Sequence, residues 1–348
     1  MFETLLGQEY VKRTLTDAVS TGHAGHAYLF CGPAGIGRKS FAAEFGRALM
    51  CRTPDADGNA CGQCLSCRLM AAGTNPDYKL ITGEEGKTGI GVETVRALEE
   101  DIVTAPSTGL RKIYVIDRSE KLTVQAQNAL LKTIEEPPEY AMLIFICANP
   151  SLLIDTVRSR VTRLDFARNT REEVLQAYGE QSGKGAELTP EDRDLIAAYA
   201  DGIIGRALQF TDFELFGRLR EELFGAMTQL GVSGSSFLQR FTDALTGEDA
   251  AKNKEFVFFE LTSFVRDAAM VARFGDDAPL QNSKYRYELD KLAACLGRHG
   301  CSRMLDRIGD AWLCVGQNVN YRSVAVNLAA DFIYTAKTAK AAKEAREA

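Results

Sequence analysis

The stretch HAYLFCGPAGIGRKSFAAEFGRALM, residues 26–50, carries the clearest structural signal in the sequence. It begins with an apolar run that ends in a glycine-rich turn, and from Arg38 onward its residues have helical spacing. Glycines let backbone N–H groups turn onto phosphate oxygens, so a loop between a strand and a helix can hold phosphate groups. The stretch therefore predicts an α/β domain of the phosphate-binding type.

Two further apolar runs follow, KIYVID at 112–117 and AMLIFICA at 141–148, with the helical segment TVQAQNALLKTIEE between them. They are rich in Ile, Val, Leu and Phe and lack polar alternation, which is typical of parallel strands covered on both faces. After about Phe166 the strand signals end, and from about Phe213 nearly all residues have helical spacing. The sequence predicts an α/β domain, then a small helical domain, then a helical C-terminal domain.

The composition is that of a globular protein, with 45% hydrophobic and 25% charged residues among 348. The net charge of −6 argues against a protein that coats nucleic acid by itself, so any DNA contact is expected to be local. No uninterrupted apolar run of about 18 residues occurs. The N-terminal MFETLLGQEYVKRTL has acidic residues where a signal peptide needs basic ones. We therefore expect a cytoplasmic protein with no membrane contact.

The loop GPAGIGRKS, Gly32–Ser40, departs from the usual phosphate-binding loop at its chemical end. Arg38 stands at the lysine position and Lys39 at the Ser/Thr position, and Ser40 comes one residue late. Arginine keeps the positive charge, but neither the compact ammonium nor the metal-binding hydroxyl lies in its usual place. Two interpretations stay open: a loop that binds ATP and Mg²⁺ but does not hydrolyse ATP, and a glycine turn before a helix.

Four of the nine cysteines lie close together in CRTPDADGNACGQCLSC, at Cys51, Cys61, Cys64 and Cys67. The spacing C-x9-C-x2-C-x2-C is compact enough for four thiolates to surround one tetrahedral Zn²⁺ ion, which leaves no open position for water. The alternatives are small buried side chains or a redox pair. The polar, turn-forming residues between the cysteines favour a structural zinc site.

These features together resemble the gamma and delta-prime types of subunit of the bacterial DNA polymerase III clamp loader. The resemblance covers about the first 210 residues and is carried by HAYLFCGPAGIG, the cysteine module at 51–67, NPDY, NALLKTIEEPP at 128–138 and RSRV. It implies an AAA+ P-loop domain over 1–166, a helical lid domain over 167–212 and an all-α collar domain over 213–348. In such proteins five subunits form an open ring that uses ATP to place the sliding clamp on primed DNA.

The resemblance also implies a degenerate nucleotide site. GIIGRAL places Arg206 at the sensor arginine of the lid, and Asp117 is suited to holding a magnesium-bound water. Arg118 stands where hydrolysing AAA+ proteins place a glutamate, Glu120 is expected to face elsewhere, and Ala148 lacks a sensor hydroxyl. The candidate nucleotide-binding residues are Gly32, Gly35, Gly37, Arg38, Lys39, Ser40, Asp117 and Arg206.

One residue is assigned a role at a neighbour's site. The family's SRC signature carries an arginine finger, and here it reads Ser159-Arg160-Val161, so the arginine matches and the cysteine does not. The resemblance implies that Arg160 acts on ATP bound by the adjacent subunit. The alternative is a surface arginine paired with Asp155 or Asp165.

The departures at Arg38, Lys39 and Arg118 favour the delta-prime type, which belongs to the polymerase III holoenzyme and is not expected to be an ATPase as an isolated chain. The alternative is a gamma-type motor in which Arg38 or Lys39 replaces the missing lysine. A zinc protein that grips DNA is disfavoured because Arg52 and Arg68 are the only nearby basic residues of the module. The expected partners are gamma/tau and delta subunits, with the sliding clamp (beta) and primed DNA reached through the complex.

Overall fold

The computed structural model describes residues 1–83, 89–183, 188–210, 212–317 and 319–347. The chain forms two compact units, Met1–Gln209 and Phe210–Ala348. The boundary expected at 166/167 lies inside the first unit, and the division into three domains stays a prediction. In the described part of the chain, none of the helices combines the length and the apolar character needed to cross a membrane.

Strands alternate with helices in the first unit. The strands are β1 (Ala27–Cys31), β2 (Tyr78–Ile81), β3 (Lys112–Ile116), β4 (Ala141–Cys147) and β5 (Thr162–Asp165). The helices are α1 (Glu9–Ser20), α2 (Arg38–Met50), α3 (Leu65–Ala71), α4 (Val92–Ile102), α5 (Val124–Glu135), α6 (Asp155–Arg158), α7 (Arg171–Ser182), α8 (Pro190–Ala200) and α9 (Ile204–Ala207).

The described strands form one parallel sheet in the order β2-β3-β4-β1-β5. β1 pairs with β4 in a register that sets Cys31 opposite Cys147, and β3 pairs with β4 so that Ile116 lies opposite Phe145. Parallel strands end at a common edge, so the residues that follow β1, β3 and β4 meet there. The register therefore brings the glycine-rich loop, Asp117 and Ala148 to one edge of the sheet.

Both faces of the sheet are covered. Ala27, Leu29 and Cys31 of β1 pack into a core with α4 and α5, whereas Tyr28 and Phe30 pack into a second core with α1 and α2. Burial of a large apolar side chain such as Phe30 contributes about 2 kcal/mol. The predicted α/β fold with a parallel sheet covered on both faces is confirmed.

The lid helices α7, α8 and α9 follow the sheet. Thr170 caps α7 in a reciprocal pair with Glu173. Thr189 caps α8, and Pro190 occupies its first turn, as the sequence predicts. A backbone hydrogen bond joins the Asn169 amide to the Gly202 carbonyl, at 2.9 Å, and so ties the start of α7 to the start of α9.

The second unit is helical throughout the residues that the structure describes, as predicted. Its helices are α10 (Phe213–Met227), α11 (Gly234–Thr246), α12 (Glu248–Lys252), α13 (Lys254–Phe274), α14 (Arg286–Gly316) and α15 (Tyr321–Glu347). α14 is kinked at Gly297, whose φ of 62° interrupts the helical backbone. Aromatic side chains fill the interior; Phe224 of α10 stacks on Phe264 of α13 with ring centroids 4.0 Å apart.

A buried carboxyl group lies inside this helical unit. Glu260 of α13 is 1% exposed, and its Oε2 lies 3.0 Å from Nε of Arg220 on α10. Burial raises the pKa of the Glu260 carboxyl to about 7, against the attraction of Arg220, and the nearby Asp267 carboxylate raises it further. Asp267 is itself fully buried and accepts hydrogen bonds from Arg266 and Asn282.

The raised pKa makes the stability of the second unit depend on pH. Between the ordinary value of 4.5 and about 7, the folded state holds a proton on Glu260 that the unfolded state releases. We expect the free energy of unfolding to fall by roughly 3 kcal/mol as the pH rises through this window. Glu260→Gln should abolish the fall, measured by denaturant unfolding at pH 5 and pH 8. Glu214→Gln, on the exposed face of α10, is the matched control, and equal pH dependence in both variants would contradict the expectation.

Candidate functional site

A cavity of about 560 Å³ lies in the first unit over the glycine-rich loop. Residues 34–41 of the loop and α2 form its floor, and the ends of β3 and β4 contribute Asp117 and Ala148. Residues 4–6 near the N-terminus and side chains of α7 and α9 close the other sides. Its volume falls in the range of small-molecule sites, which is roughly 300–1,000 Å³.

The lid touches the floor of the cavity through two glycines. The Gly205 amide donates a hydrogen bond to the Gly35 carbonyl at 2.9 Å. A Cβ atom on Gly205 would lie 2.8 Å from the Gly35 Cα, which leaves no room for a side chain there. Gly35 has a φ of 82°, a conformation that glycine adopts readily. This contact holds α9 against the loop.

Arg38, the first residue of α2, is largely buried and lines the cavity. The residue is 8% exposed, and its Nη1 is a buried atom with no hydrogen-bond partner among the described residues. Burial lowers the pKa of the guanidinium, while the carboxylates of Glu120 and Asp117 oppose that shift. A buried polar atom without a partner is costly, so a ligand that supplied an acceptor there would gain binding energy.

Lys39 bonds the strand-end aspartate directly. Its Nζ lies 2.7 Å from Oδ2 of Asp117, whose side chain is 6% exposed against 56% for the lysine. Nε of Arg118 lies 3.8 Å from the same oxygen. Arg118 has a φ of 50°, an uncommon conformation for a residue other than glycine. Arg118 also lines the cavity. Two cations therefore compensate one buried carboxylate.

The expectation that Glu120 faces elsewhere is wrong. After Arg118 the chain makes a short 3₁₀ turn over Ser119–Lys121, which returns Glu120 to the cavity wall. Its Oε2 accepts a hydrogen bond from the Ala148 amide at 3.2 Å. The carboxylate is thus present at the site, but it is held against the end of β4 and is not next to Asp117 in sequence.

The remaining candidate nucleotide residues are not all brought together. Gly37, Lys39 and Ser40 line the cavity, but of the residues that the structure describes there, neither Gly32 nor Arg206 is part of the lining. The Gly32 amide instead donates to the Cys147 carbonyl at 3.2 Å. Arg206 lies half-buried on α9, beside Gly205. Nucleotide contacts by Gly32 and Arg206 stay predictions.

The four predicted cysteines converge at the end of α2. Cys51 follows the last residue of α2, Cys64 precedes α3 and Cys67 lies within it, and all four Sγ atoms lie within 4.8 Å of one another. Sγ of Cys61 is 4.0 Å from Sγ of Cys67. Tetrahedral zinc with Zn–S bonds of about 2.3 Å needs sulfur atoms roughly 3.8 Å apart. The cluster fits a zinc ion with little adjustment.

The surroundings of the sulfur atoms are unequal. Hydrogen bonds from the Thr53 side chain and from the amides of Cys64 and Gln63 lower the pKa of the Cys61 thiol to about 6. Burial raises the pKa of the Cys67 thiol to about 12. A bound cation would favour the thiolate at every position, since metal binding displaces the thiol protons. These residues would hold the ion, which would supply a closed structural crosslink.

Two residues that the sequence analysis did not assign hold the segments that lead into β2 and β3; one of them also contacts the cysteine module. Asn75 Nδ2 donates to the backbone carbonyl and the hydroxyl of Ser66, next to Cys67, at 3.1 Å. The buried Asp77 accepts hydrogen bonds from the amides of residues 107–109 and from the Thr108 hydroxyl. Asn75 and Asp77 both belong to the NPDY motif, which leads into the edge strand β2. Two polar residues just before an edge strand were the sequence signal that could have identified them.

Arg160 lies away from the cavity. It follows α6, and its Nε donates to Oε1 of Glu135, at the end of α5, at 2.5 Å. Its Nη1 donates to the Thr156 carbonyl and the Ser159 hydroxyl at 3.0 and 3.2 Å. The partners considered from the sequence were Asp155 and Asp165, but these carboxylates pair with Arg158 and Arg163 instead. Arg160 is not part of the described lining of the cavity, and its side chain is 39% exposed.

A parallel sheet in this order, a glycine-rich loop between its central strand and a helix, and a helical lid over that loop define a protein of the AAA+ P-loop class. The family described as "DNA polymerase III, delta subunit" matches residues 7–170. The chain belongs to the family of DNA polymerase III clamp-loader subunits.

Curated relatives of two subunit types match. DNA polymerase III subunit delta' of Pseudomonas aeruginosa is 44% identical over 135 residues, which is 39% of this chain and 41% of that protein. Subunit tau of Bacillus subtilis is 33% identical over 212 residues, 61% of this chain and 37% of that protein. Subunit gamma/tau of Mycobacterium tuberculosis is 31% identical over 258 residues, which is 72% of this chain and 43% of that protein. The chain thus spans about two-fifths of the length of these relatives.

Among solved structures, a gamma subunit-related protein of DNA polymerase III from Thermotoga maritima is 17% identical, with a TM-score of 0.46. The match covers 93% of this chain and 99% of that one.

Proposed function

We propose that this chain works as a delta-prime type of clamp-loader subunit that helps to load the sliding clamp onto primed DNA without hydrolysing ATP itself. The observation that carries the proposal is the ion pair between Lys39 and Asp117. It sets an ammonium group where an ATP-hydrolysing site needs a metal ion. We expect gamma/tau and delta subunits as direct partners, the beta clamp and primed DNA as partners of the complex, and the cytoplasm as the place of action.

A gamma-type motor subunit is the second candidate, because the gamma/tau relatives match a longer part of the chain than the delta' relatives do. The two candidates differ in chemistry. A motor needs a metal-bound, activated water, whereas here Arg118 follows Asp117 and Glu120 is hydrogen-bonded to the Ala148 amide. These features favour the delta-prime type.

Turnover by the purified chain separates the two candidates. We expect ATP hydrolysis at the background rate, because Lys39 pairs with one oxygen of Asp117 and Arg118 stands where a water-activating glutamate is needed. Phosphate release should be measured for the native chain, Lys39→Ala, and the control Arg96→Ala, which removes a positive charge from the exposed face of α4. Steady turnover that Lys39→Ala abolishes and Arg96→Ala retains would identify a motor subunit.

Arg160 is proposed to act on ATP bound by a neighbouring subunit. It is outside the described lining of its own chain's cavity, half-exposed, and fixed in orientation by Glu135, Thr156 and Ser159. A guanidinium held in this way can neutralise charge on a transferring phosphoryl group with little loss of side-chain freedom. The Glu135 contact makes that residue a positioning residue for the arginine.

In an assembled clamp loader, Arg160→Ala should lower DNA-stimulated ATP hydrolysis by the adjacent motor, since arginine fingers contribute roughly 10³–10⁵ in rate at a single site. Arg160→Lys should rescue little, because a lysine lacks the bidentate fork. Arg158→Ala, which removes the arginine paired with Asp155, is the matched control. Size-exclusion chromatography checks assembly, and full hydrolysis by an assembled Arg160→Ala complex would remove the finger from the proposal.

We further propose that Cys51, Cys61, Cys64 and Cys67 hold one structural Zn²⁺ ion. The convergence of four sulfur atoms within 4.8 Å supports it. The ion would hold the polar loop between α2 and α3, where Asp55 already accepts hydrogen bonds from the amides of Asp57 and Asn59. A closed four-thiolate site gives a structural rather than a catalytic metal.

Freshly purified protein should contain one zinc per chain by elemental analysis. Structural zinc binding is on the order of 10 kcal/mol, so Cys64→Ser should lose the metal and open residues 51–67 to proteolysis, while the sheet keeps its own core. Cys314→Ser, which changes a cysteine of α14 outside the cluster, is the control. Folded native protein with far less than one zinc per chain would refute the assignment.

A further inference from the structure

We propose that the cavity binds a nucleoside di- or triphosphate without a divalent cation, with the Lys39 ammonium in the place of the metal. This inference deepens the proposed function and rests on it, in that the chain is taken not to hydrolyse ATP. It concerns the chemistry of one site in the first unit, whose lining residues all lie between Thr4 and Leu208.

The residues present do not fit Mg²⁺. Magnesium demands near-octahedral oxygen ligands at about 2.0–2.1 Å and keeps several waters. One carboxylate oxygen of Asp117 is taken by Lys39 Nζ at 2.7 Å, and Glu120 is engaged by the Ala148 amide. The Ser40 hydroxyl is one residue late, which turns it about 100° around the axis of α2. A metal would also bring its charge close to the ammonium of Lys39, which repels it.

The same residues fit an anion. The first-turn amides of α2 have no partner inside the helix, and the helix N-terminus carries partial positive charge. The buried Nη1 of Arg38, which lines the cavity, has no partner among the described residues. An ammonium has three donors, so Lys39 can keep its bond to Asp117 and still donate to a phosphate oxygen. Phosphate binding here therefore supplies acceptors to donors that are already in place.

The rest of the cavity favours a nucleoside over a bare phosphate group. Leu5 and Leu6 form one apolar side, and Ile204 and Leu208 of the lid form another. A site with apolar walls and a few convergent polar groups suits a flat aromatic base joined to a charged chain. The volume of about 560 Å³ is larger than phosphate groups alone require. The ligand class is thus a purine or pyrimidine nucleoside with two or three phosphates.

The test measures binding of ADP, ATP and inorganic pyrophosphate to the full chain by isothermal titration calorimetry, in EDTA and in excess Mg²⁺. We expect ADP and ATP to bind in EDTA with a Kd within about twofold of the value in Mg²⁺, and pyrophosphate to bind more weakly. Lys39→Ala should weaken binding in EDTA by about tenfold. Arg96→Ala, which removes an exposed positive charge from α4, should leave it unchanged.

A second variant tests the role of Lys39 through a gain of Mg²⁺ dependence, so it does not rely on a loss of nucleotide binding. Arg38→Lys combined with Lys39→Ser restores the lysine and hydroxyl positions of the loop and frees Asp117, so nucleotide binding should become tighter in Mg²⁺ than in EDTA by about tenfold or more. Native binding that needs Mg²⁺, binding that ignores Lys39→Ala, or no saturable binding of any of the three probes would each overturn the inference. Pyrophosphate binding as tight as that of ADP would overturn the nucleoside assignment. None of these results bears on Arg160, whose role is read from the assembled complex, so the two proposals fail separately.

Discussion

The parallel pairing of β1 with β4 sets the arrangement of the first unit. Cys31 and Cys147 are partners at the last paired position, so the chain leaves both strands at the same level. The glycine-rich loop then begins directly beside Ala148, and β3, one strand further, delivers Asp117 to the same edge. A slip by one residue would turn every side chain of β1 to the opposite face, which both buried cores forbid. The geometry of the site is thus set by apolar packing in the two cores on either face of the sheet.

At that edge, charge decides the chemistry. Asp117 is almost fully buried, and a buried carboxylate needs a compensating cation. A hydrolysing site can supply it with a metal ion, which also provides the water. Here Lys39 supplies it from the chain itself, so charge compensation is complete before any ligand arrives. Lys39 stands where the usual loop has the metal-binding hydroxyl. The same residue balances the charge of Asp117 without a metal ion.

Sequence patterns predicted the strands whose residues are buried on both faces. They did not predict the partly exposed strands or the contacts between distant segments. β1, β3 and β4 are fully buried and read clearly as apolar runs. β2 and β5 lie at the two edges of the sheet, and their half-exposed, partly polar residues give no such run. The cysteine cluster was predictable because its four cysteines are close in sequence.

The contacts that could not be predicted all join distant segments. Glu120 returns to the cavity because a left-handed Arg118 reverses the chain, and sequence spacing alone could not show that reversal. The partner of Arg160, Glu135, lies on another helix. The two carboxylates considered from the sequence, Asp155 and Asp165, pair with other arginines. Local spacing gave candidates that are close in sequence, whereas the tertiary fold supplied partners from distant segments.

The roles proposed for Arg38 and Arg160 would give one chain half of an ATPase mechanism. Arg38 is buried in the lining of its own cavity with a donor unpartnered among the described residues, so it can contribute to binding only within that cavity. Arg160 is half-exposed and oriented by three contacts, a position from which it can reach outward but does not line its own cavity in the described structure. Hydrolysis needs a metal-bound water on one side and a neutralising arginine on the other. On the role proposed for Arg160, a subunit that retains only the second element would have to take the first from a neighbour, and that requirement would be a physical reason for such a chain to work only within an assembly.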